Sequence, residues 1–279
     1  MPTFSLPAKK SLGQCFLVER QYARDIVQAL GIQPGDTVIE IGPGRGILTE
    51  ELVRTPARVT AVEIDQRLID PLLDRFRAYP NFSLRHEDFL QTELSQIVGN
   101  GTVKIVGNLP YHLAAEVIYK LLTNARETRE RVDIPWIETA VLMLQKEVAD
   151  RITAKPATKT WGKLSVFAQL EANVNYLLTV PASAFRPKPK VDGGVVRLEF
   201  FRLPPFRPRD YELLERIVRW TFHQRRKMLK TSLTSLSGVH PYWMSAEFDF
   251  RRRPETLSPG EWVELTNRIS SALNSRERS

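Results

Sequence analysis

The sequence predicts an α/β fold, a parallel sheet covered by helices, followed by a small all-helical C-terminal domain. Three observations support this prediction. Short β-branched runs alternate with amphipathic stretches over residues 37–144, the apolar runs end in glycines or polar residues, and only helical patterns follow residue 210. Alternation of this kind is typical of parallel strands, because each strand must be joined to the next by a crossover helix.

Five strands and four helices are predicted in the first part of the chain. The strands are TVIEIG at 37–42, RVTAVEID at 58–65, NFSLRHED at 81–88, VKIVGN at 103–108 and IETAVLMLQ at 137–145. The helices cover residues 21–30, 47–54, 67–78 and 113–122, where apolar side chains recur at helical spacing. Gly31 ends the first of these helices, as glycine often does.

The remaining elements suggest a second domain. Helices are predicted over 146–153 and 163–171, strands over 174–180 and 195–200, and helices over 211–222 and 261–273. The segment LPPFRPRD at 203–210 is rich in proline, which cannot continue a central strand or helix. We therefore predict one domain at 1–203 and another at 204–279.

The composition is that of a globular protein with a proper core, since 42% of the residues are apolar and 26% are charged. No stretch approaches the roughly 18 unbroken apolar residues of a membrane span, and the first ten residues have no apolar core. We expect a cytosolic protein. The single cysteine, Cys15, agrees with a reducing compartment.

The net charge of +8 is concentrated near the C-terminus, where residues 204–279 hold 14 Lys/Arg and 9 Asp/Glu. The charges cluster at Arg225, Arg226 and Lys227 with Lys230, and again at 251–253. RNA or DNA would explain such clusters through phosphate contacts, whereas a solvated basic surface is the alternative. Charge alone does not decide between them.

A cofactor pocket is predicted at the end of the first strand, where EIGPGRG contains Gly42, Gly44 and Gly46. Glycines allow a sharp turn and close approach of a ligand at the carboxyl end of a parallel strand. The spacing differs from the G-x-G-x-x-G of dinucleotide binders, which weakens a nicotinamide interpretation. A purely structural turn is the other possibility.

Acidic residues at two further strand ends favour a nucleoside cofactor. Glu63 ends the second strand, about 20 residues after the glycines, where an acid can accept both ribose hydroxyl protons. Asp88, followed by Phe89, ends the third and can accept a hydrogen bond from an adenine amine, although an aspartate there can equally cap a helix. S-adenosylmethionine fits these three features.

The fourth strand runs into VGNLPY, which predicts a site for an amine. The exocyclic amine of adenine is a poor nucleophile, and the side-chain oxygen of Asn108 and the carbonyl of Leu109 can favour its reactive form. Pro110 fixes the backbone, and Tyr111 offers a ring on which an extruded base can stack. A plain strand-ending turn with a core tyrosine is the alternative.

Motifs along nearly the whole chain resemble the bacterial small-subunit (16S) rRNA adenine N6,N6-dimethyltransferase family. They are KKSLGQCFL, EIGPGRGILTEEL, VEID, HEDFL, GNLPYHL, LQKEVADRI, GKLSV, PASAFRPKPKVDGGVVRL and FHQRRKMLKTSL. The resemblance implies a Rossmann-like class I S-adenosylmethionine-dependent methyltransferase sheet with a helical RNA-binding domain. It also implies dimethylation of N6 of two adjacent adenosines in the 3′-terminal hairpin of 16S rRNA within an assembling small subunit, by a monomer.

The resemblance also assigns site residues. It places Gln14, Cys15, Leu17, Gly42, Gly44, Glu63, Asp88, Phe89 and Asn108 at the cofactor, and residues 108–111 at the target amine. Phe185 would close on the other face of the target base, or else anchor its loop in the core. Cys15 departs from the amide or imidazole usual after Gly-Gln, and because a thiol is a weak hydrogen-bond partner, we expect its contact with the cofactor to be through the backbone. No His or Cys has metal-ligand spacing.

Two other functions stay open on the sequence. One is a large-subunit rRNA or other nucleic-acid adenine methyltransferase with the same fold, which shares the motifs of the first domain. The other is an RNA-binding ribosome assembly factor in which methyl transfer is secondary.

Overall fold

The structure, a computed structural model, describes residues 6–9, 12–110, 112–239, 244 and 247–276. The chain folds as two compact units, Met1–Asp150 with Glu171–Arg202 and Arg151–Leu170 with Leu203–Ser279. In the described part of the chain, no helix has the length and apolar character needed to cross a membrane.

The first unit contains strands and flanking helices. Its strands are β1 (Phe16–Leu17), β2 (Thr37–Ile41), β3 (Arg58–Glu63), β4 (Phe82–His86), β5 (Thr102–Asn108), β6 (Trp136–Gln145), β7 (Ala172–Val180), β8 (Phe185–Arg186) and β9 (Gly193–Phe200). Its helices are α1 (Arg20–Gln28), α2 (Ile47–Leu52), α3 (Gln66–Phe76), α4 (Ser95–Val98) and α5 (Ala114–Glu127). Two helices, α6 (Lys146–Ile152) and α7 (Lys163–Glu171), lie where the chain passes between the units.

Seven strands form one sheet in the order β4-β3-β2-β5-β6-β9-β7. The first five are parallel, and β9 and β7 are antiparallel to their neighbours. The predicted parallel sheet is therefore confirmed, with an antiparallel edge. The strand order reverses beside β2, which lies between β3 and β5, and a crevice at the carboxyl ends of such strands is where open α/β sheets bind ligands.

The central strands are mostly apolar and largely buried, as is typical of parallel strands in α/β proteins. Four of the five residues of β2 are buried, as are five consecutive residues of β5. Asp65 begins α3 by accepting the backbone N–H of Arg67 at 3.2 Å. This cap stops β3 directly after Glu63, so the strand ends at the crevice.

A second, two-stranded sheet joins distant parts of the first unit. In this sheet β1 and β8 are antiparallel, with Phe16 opposite Arg186 and Leu17 opposite Phe185. The backbone N–H of Val18 extends the pairing by donating to the carbonyl of Ala184 at 2.9 Å. The N-terminal segment is thereby held beside Phe185.

The second unit is helical, with α8 (Tyr211–His223), α9 (Leu229–Thr234) and α10 (Pro259–Arg276). Asp210 caps α8 by accepting the N–H of Leu213 at 2.8 Å. Trp161 and Trp262 are fully buried.

The segment 151–170 belongs to this second unit, whereas the sequence assigns it to the first domain. Arg225 holds the segment by donating to the carbonyls of Thr158 at 2.9 Å and Lys159 at 2.6 Å. Ala157 donates its N–H to the carbonyl of Glu255 at 2.7 Å. The helical unit is therefore built from two separate stretches of chain.

Candidate active site

A glycine turn joins β2 to α2 at the crevice. Gly42 and Gly44 have φ angles of +63° and +57°, which residues with a side chain rarely adopt. A Cβ on Gly44 would lie 3.0 Å from the ring of Phe16, whereas a Cβ on Gly42 would point into open space. The turn therefore leaves its backbone accessible to a ligand.

Glu63 lies against this turn at the end of β3 and is 4% exposed. Its Oε2 accepts the N–H of Gly44 at 3.1 Å, and its Oε1 accepts the N–H of Asp65 at 2.9 Å. Burial raises the pKa of this carboxyl above its ordinary value. Each oxygen has a lone pair left for a ligand hydroxyl.

Glu40 is a site residue that the sequence prediction missed. It lies in β2, is 1% exposed and lines the cavity. Thr49 Oγ1 donates to its Oε2 at 2.6 Å, while Oε1 has no hydrogen-bond partner among the described residues. Burial, together with the nearby charge of Glu63, raises the pKa of Glu40 to about 8. The available signal was a charged residue inside an otherwise apolar strand.

The loop after β4 carries Asp88 and Phe89. Asp88 accepts the N–H of Leu90 through Oδ1 at 2.9 Å, so one carboxylate oxygen caps its own turn. Phe89 is buried, and the ammonium of Lys120 on α5 lies 5.3 Å from its ring centre. Lys120 also donates to the carbonyls of Leu90 at 2.9 Å and Thr92 at 2.6 Å, which fixes this loop.

Asn108, the last residue of β5, is half-buried at the wall of the cavity. Its Nδ2 donates to the carbonyl oxygen of Cys15 at 3.1 Å. This bond uses the amide nitrogen and leaves Oδ1 as the acceptor. Burial raises the pKa of the Cys15 thiol, which favours its neutral form. Cys15 contacts Asn108 through its backbone carbonyl and not through this thiol.

The residues after Asn108 continue the wall of the cavity. Leu109 is buried and donates its N–H to the carbonyl of Met143 at 3.0 Å. The carbonyl of Pro110 accepts the N–H of Leu113 at 3.0 Å, which begins the turn into α5. Tyr111 lies outside the described residues.

The N-terminal segment is fastened across the crevice by Gln14. Its Nε2 donates to Asp65 Oδ2 at 2.8 Å, and its Oε1 accepts the N–H of Lys9 at 2.8 Å. Arg67 binds the same carboxylate at 2.6 and 2.9 Å and lowers the pKa of Asp65 well below its usual range. Gln14 therefore docks on a carboxylate that stays charged.

Leu17 and Phe185 face each other across the β1 and β8 pair. They are 4% and 2% exposed, and both belong to an apolar cluster while lining the cavity. The alternative of a core anchor is therefore a good description of the Phe185 ring. A contact with a target base stays a prediction.

One cavity unites these groups. Every cofactor residue predicted from the sequence lines it, together with Leu109, Pro110 and Phe185. Ile64 also lines it and is 46% exposed, although it follows a buried glutamate. An exposed isoleucine on a cavity wall offers an apolar face to a flat ligand, a feature the sequence prediction missed.

The predicted RNA-binding residues lie in the second unit. Arg226, Lys227 and Lys230 are exposed, whereas Arg225 is half-buried with its Nε 2.6 Å from Glu255 Oε2. The N–H of Lys230 donates to the carbonyl of Phe250 at 3.0 Å, so the second basic cluster, 251–253, follows directly beside the first. The structure thus joins the two basic clusters, with Arg225 bound inside its own unit.

Comparison with known proteins decides the family. A family profile described as ribosomal RNA adenine dimethylase matches residues 6–271. The chain belongs to this family. The small subunit methyltransferase A of Pseudomonas aeruginosa, a ribosomal RNA enzyme by name, is 39% identical over 270 residues, 96% of this chain and 97% of that protein. Its namesake from Geobacillus thermodenitrificans is 39% identical over 274 residues, 94% of this chain and 90% of that protein. The family predicted from the motifs is confirmed.

Solved structures agree with membership of the ribosomal RNA adenine dimethylase family. The 23S rRNA methyltransferase ErmE aligns with a TM-score of 0.69 and 27% identity, covering 91% of this chain and 99% of that one. A dimethyladenosine transferase from Plasmodium falciparum aligns with a TM-score of 0.74 and 24% identity, covering 92% and 98%, a likeness that shows the fold. The Rossmann-like α/β class predicted from the sequence is confirmed.

Proposed function

We propose that this member of the ribosomal RNA adenine dimethylase family transfers methyl groups from S-adenosylmethionine to N6 of two adjacent adenosines in the 3′-terminal hairpin of 16S rRNA. The observation that carries the proposal is the position of Asn108, on the wall of the same cavity as Glu63 and the glycine turn. The relatives named as small subunit methyltransferases favour 16S rRNA over a large-subunit substrate.

The donors and acceptors of the cavity fit S-adenosylmethionine. Glu40 presents a buried oxygen without a partner among the described residues, which suits the ammonium group of the cofactor. Glu63 suits the two ribose hydroxyls, and Ile64 offers an apolar face to adenine. When bound, the cofactor supplies an electrophilic methyl group.

The residues at the end of β5 would prepare the target amine. Asn108 Oδ1 and the carbonyl of Leu109 accept its two N–H groups, which favours a nitrogen whose lone pair is not delocalised into the ring. Both acceptors are neutral, so neither removes a proton; the nitrogen becomes positively charged as it takes the methyl group, is then acidic, and loses its proton to water. Tyr111 and Phe185 would enclose the extruded base, and stacking on one ring is worth roughly 1–3 kcal/mol.

The exposed basic residues of the second unit would bind phosphates of the same RNA. Arg226, Lys227 and Lys230 present their charges to solvent, as counterion release requires. We infer that the substrate is 16S rRNA within an assembling small subunit and that the protein acts on it as a monomer. We also infer that it acts in the cytoplasm, because that is where such a substrate is found.

The test is transfer of labelled methyl groups to unmethylated small ribosomal subunits, followed by nucleoside analysis. Dimethyladenosine at two adjacent positions of the 3′-terminal hairpin is expected, with unmethylated large subunits as the control. Label in the large subunit alone would favour the large-subunit enzyme. Normal subunit assembly by a variant that has lost methyl transfer would favour the assembly factor.

A further inference from the structure

The end of β8 and the loop that joins it to β9 carry three cations on alternate residues. Arg186, Lys188 and Lys190 are all exposed, and they alternate with Pro187 and Pro189, of which Pro189 is buried. Among the described residues, Lys188 and Lys190 form no ion pair. We call these three cations the rim cations. They form a concentrated positive charge outside the helical unit.

The loop is fixed at both ends. Arg186 pairs with Phe16 in the small sheet, and its Nη1 donates to the carbonyls of Ser183 at 2.9 Å and Phe185 at 2.8 Å. Asp192, which follows the rim cations, accepts the N–H of Ala182 through Oδ1 at 2.9 Å. The carboxylate of Asp192 therefore binds a backbone N–H group, and the loop is held in a defined place.

This loop leaves the wall of the active-site cavity at Phe185. Phe185 lines the cavity, and the first rim cation is the next residue in the chain. A base that enters the cavity leaves its sugar and phosphates outside. The RNA backbone on either side of that base therefore passes near the residues around the cavity. Positive charge at this position suits a strand of phosphates.

We infer that Arg186, Lys188 and Lys190 form a phosphate-binding edge that contacts the RNA backbone flanking the target adenosine. This inference rests on the proposed function and adds a contact within the catalytic unit, distinct from the basic clusters at 225–230 and 251–253. Phosphate contacts set the register of a nucleic acid on a protein, whereas contacts with bases read its identity. The rim cations are therefore positioning residues for the base.

The test compares two double variants that remove the same charge. Lys188→Gln with Lys190→Gln removes two rim cations, and Arg58→Gln with Arg77→Gln is the matched control. Arg58 begins β3, at the end of that strand away from Glu63 and the cavity, and Arg77 directly follows α3; both residues are exposed. Binding to unmethylated small subunits is measured from 50 to 200 mM salt, with cofactor affinity and methyl transfer measured in parallel.

The rim variant is expected to lower the slope of log K against log salt by about 1.4, or about 0.7 for each contact with single-stranded RNA. The control variant should keep the wild-type slope, and both variants should bind the cofactor normally. A rim variant with the wild-type slope, or a control with an equal loss, would overturn the inference. Wild-type protein that binds subunits without methylating them would instead overturn the proposed function, and the slopes would still test the rim cations.

Discussion

The side chain of Asn108 donates through Nδ2 to the carbonyl oxygen of Cys15 at 3.1 Å. These residues are 93 positions apart, and the bond links the end of β5 to the N-terminal segment. The bond determines the direction in which the side-chain oxygen of Asn108 points, since an amide whose nitrogen donates to Cys15 must turn its oxygen the other way. The N-terminal segment therefore helps to orient the group that is proposed to receive the target amine.

Asn108→Asp tests this relationship because it keeps the shape of the side chain and removes the donor. A carboxylate oxygen facing the carbonyl of Cys15 is repelled, so the acceptor should lose its orientation. We expect kcat to fall by about 100-fold or more, by analogy with loss of a preorganised group in other active sites. Cofactor affinity should change only a few-fold. Asn175→Ala, on an exposed part of β7, is the control.

Glu63→Ala should weaken cofactor binding. The carboxylate is proposed to bind two ribose hydroxyls, and hydrogen bonds to a charged group are worth about 1.5–3 kcal/mol, so affinity should fall about 10- to 100-fold. Isothermal titration with S-adenosylmethionine measures the change. RNA affinity should stay unchanged, and an equal loss of both affinities would indicate misfolding.

Glu40 should make the stability of the cofactor-free protein depend on pH. Burial raises its pKa from the ordinary 4.5 to about 8, so over this range the folded chain holds a proton that the unfolded chain has released. The free energy of unfolding should therefore fall as pH rises from about 4.5 towards 8. Urea unfolding across this range measures the effect.

Glu40→Gln removes the titrating proton, so the fall in stability between these pH values should be smaller than in the wild type. Glu19→Gln makes the same chemical change at an exposed residue and should leave the pH dependence unaltered. If Glu40→Gln kept the full wild-type dependence, the buried carboxyl would not be its source.

The basic cluster at 225–227 should separate into two functions. Arg225→Gln breaks bonds to Glu255, Thr158 and Lys159, so the midpoint of thermal unfolding should fall by about 3–8 °C. Arg226→Gln with Lys227→Gln should leave the midpoint nearly unchanged and reduce the salt slope of RNA binding by about one unit per lost contact. The reverse pattern would contradict the contacts of Arg225.

Most of the sheet could be predicted because parallel strands have a strong sequence signal. The predicted strands at 37–42 and 103–108 coincide within a residue or so with β2 and β5, since both are apolar runs ending in glycine or a polar residue. The pair of β1 and β8 was missed because two-residue strands show no periodicity. Their partners are also far apart in the chain, and only folding brings them together.

The site was predicted where its residues stand at strand ends and missed where a side chain acts from within an element. Glu63 and Asn108 end apolar runs and Asp88 comes two residues after β4, so their position at the carboxyl ends of parallel strands follows from the topology. Glu40 lies inside β2, and the sequence does not reveal which face of the strand meets a cavity. The role of the Cys15 carbonyl was likewise hidden, because backbone contacts leave no trace in residue type.

The central claim is that the acceptor at the end of β5 directs methyl transfer to an adenine amine. The most direct measurement is nucleoside analysis of unmethylated small subunits after incubation with S-adenosylmethionine and either the wild type or Asn108→Ala. We predict dimethyladenosine with the wild type and almost none with the variant, although the variant should still bind cofactor and subunits. Dimethyladenosine formed at equal rates by both proteins would contradict the claim.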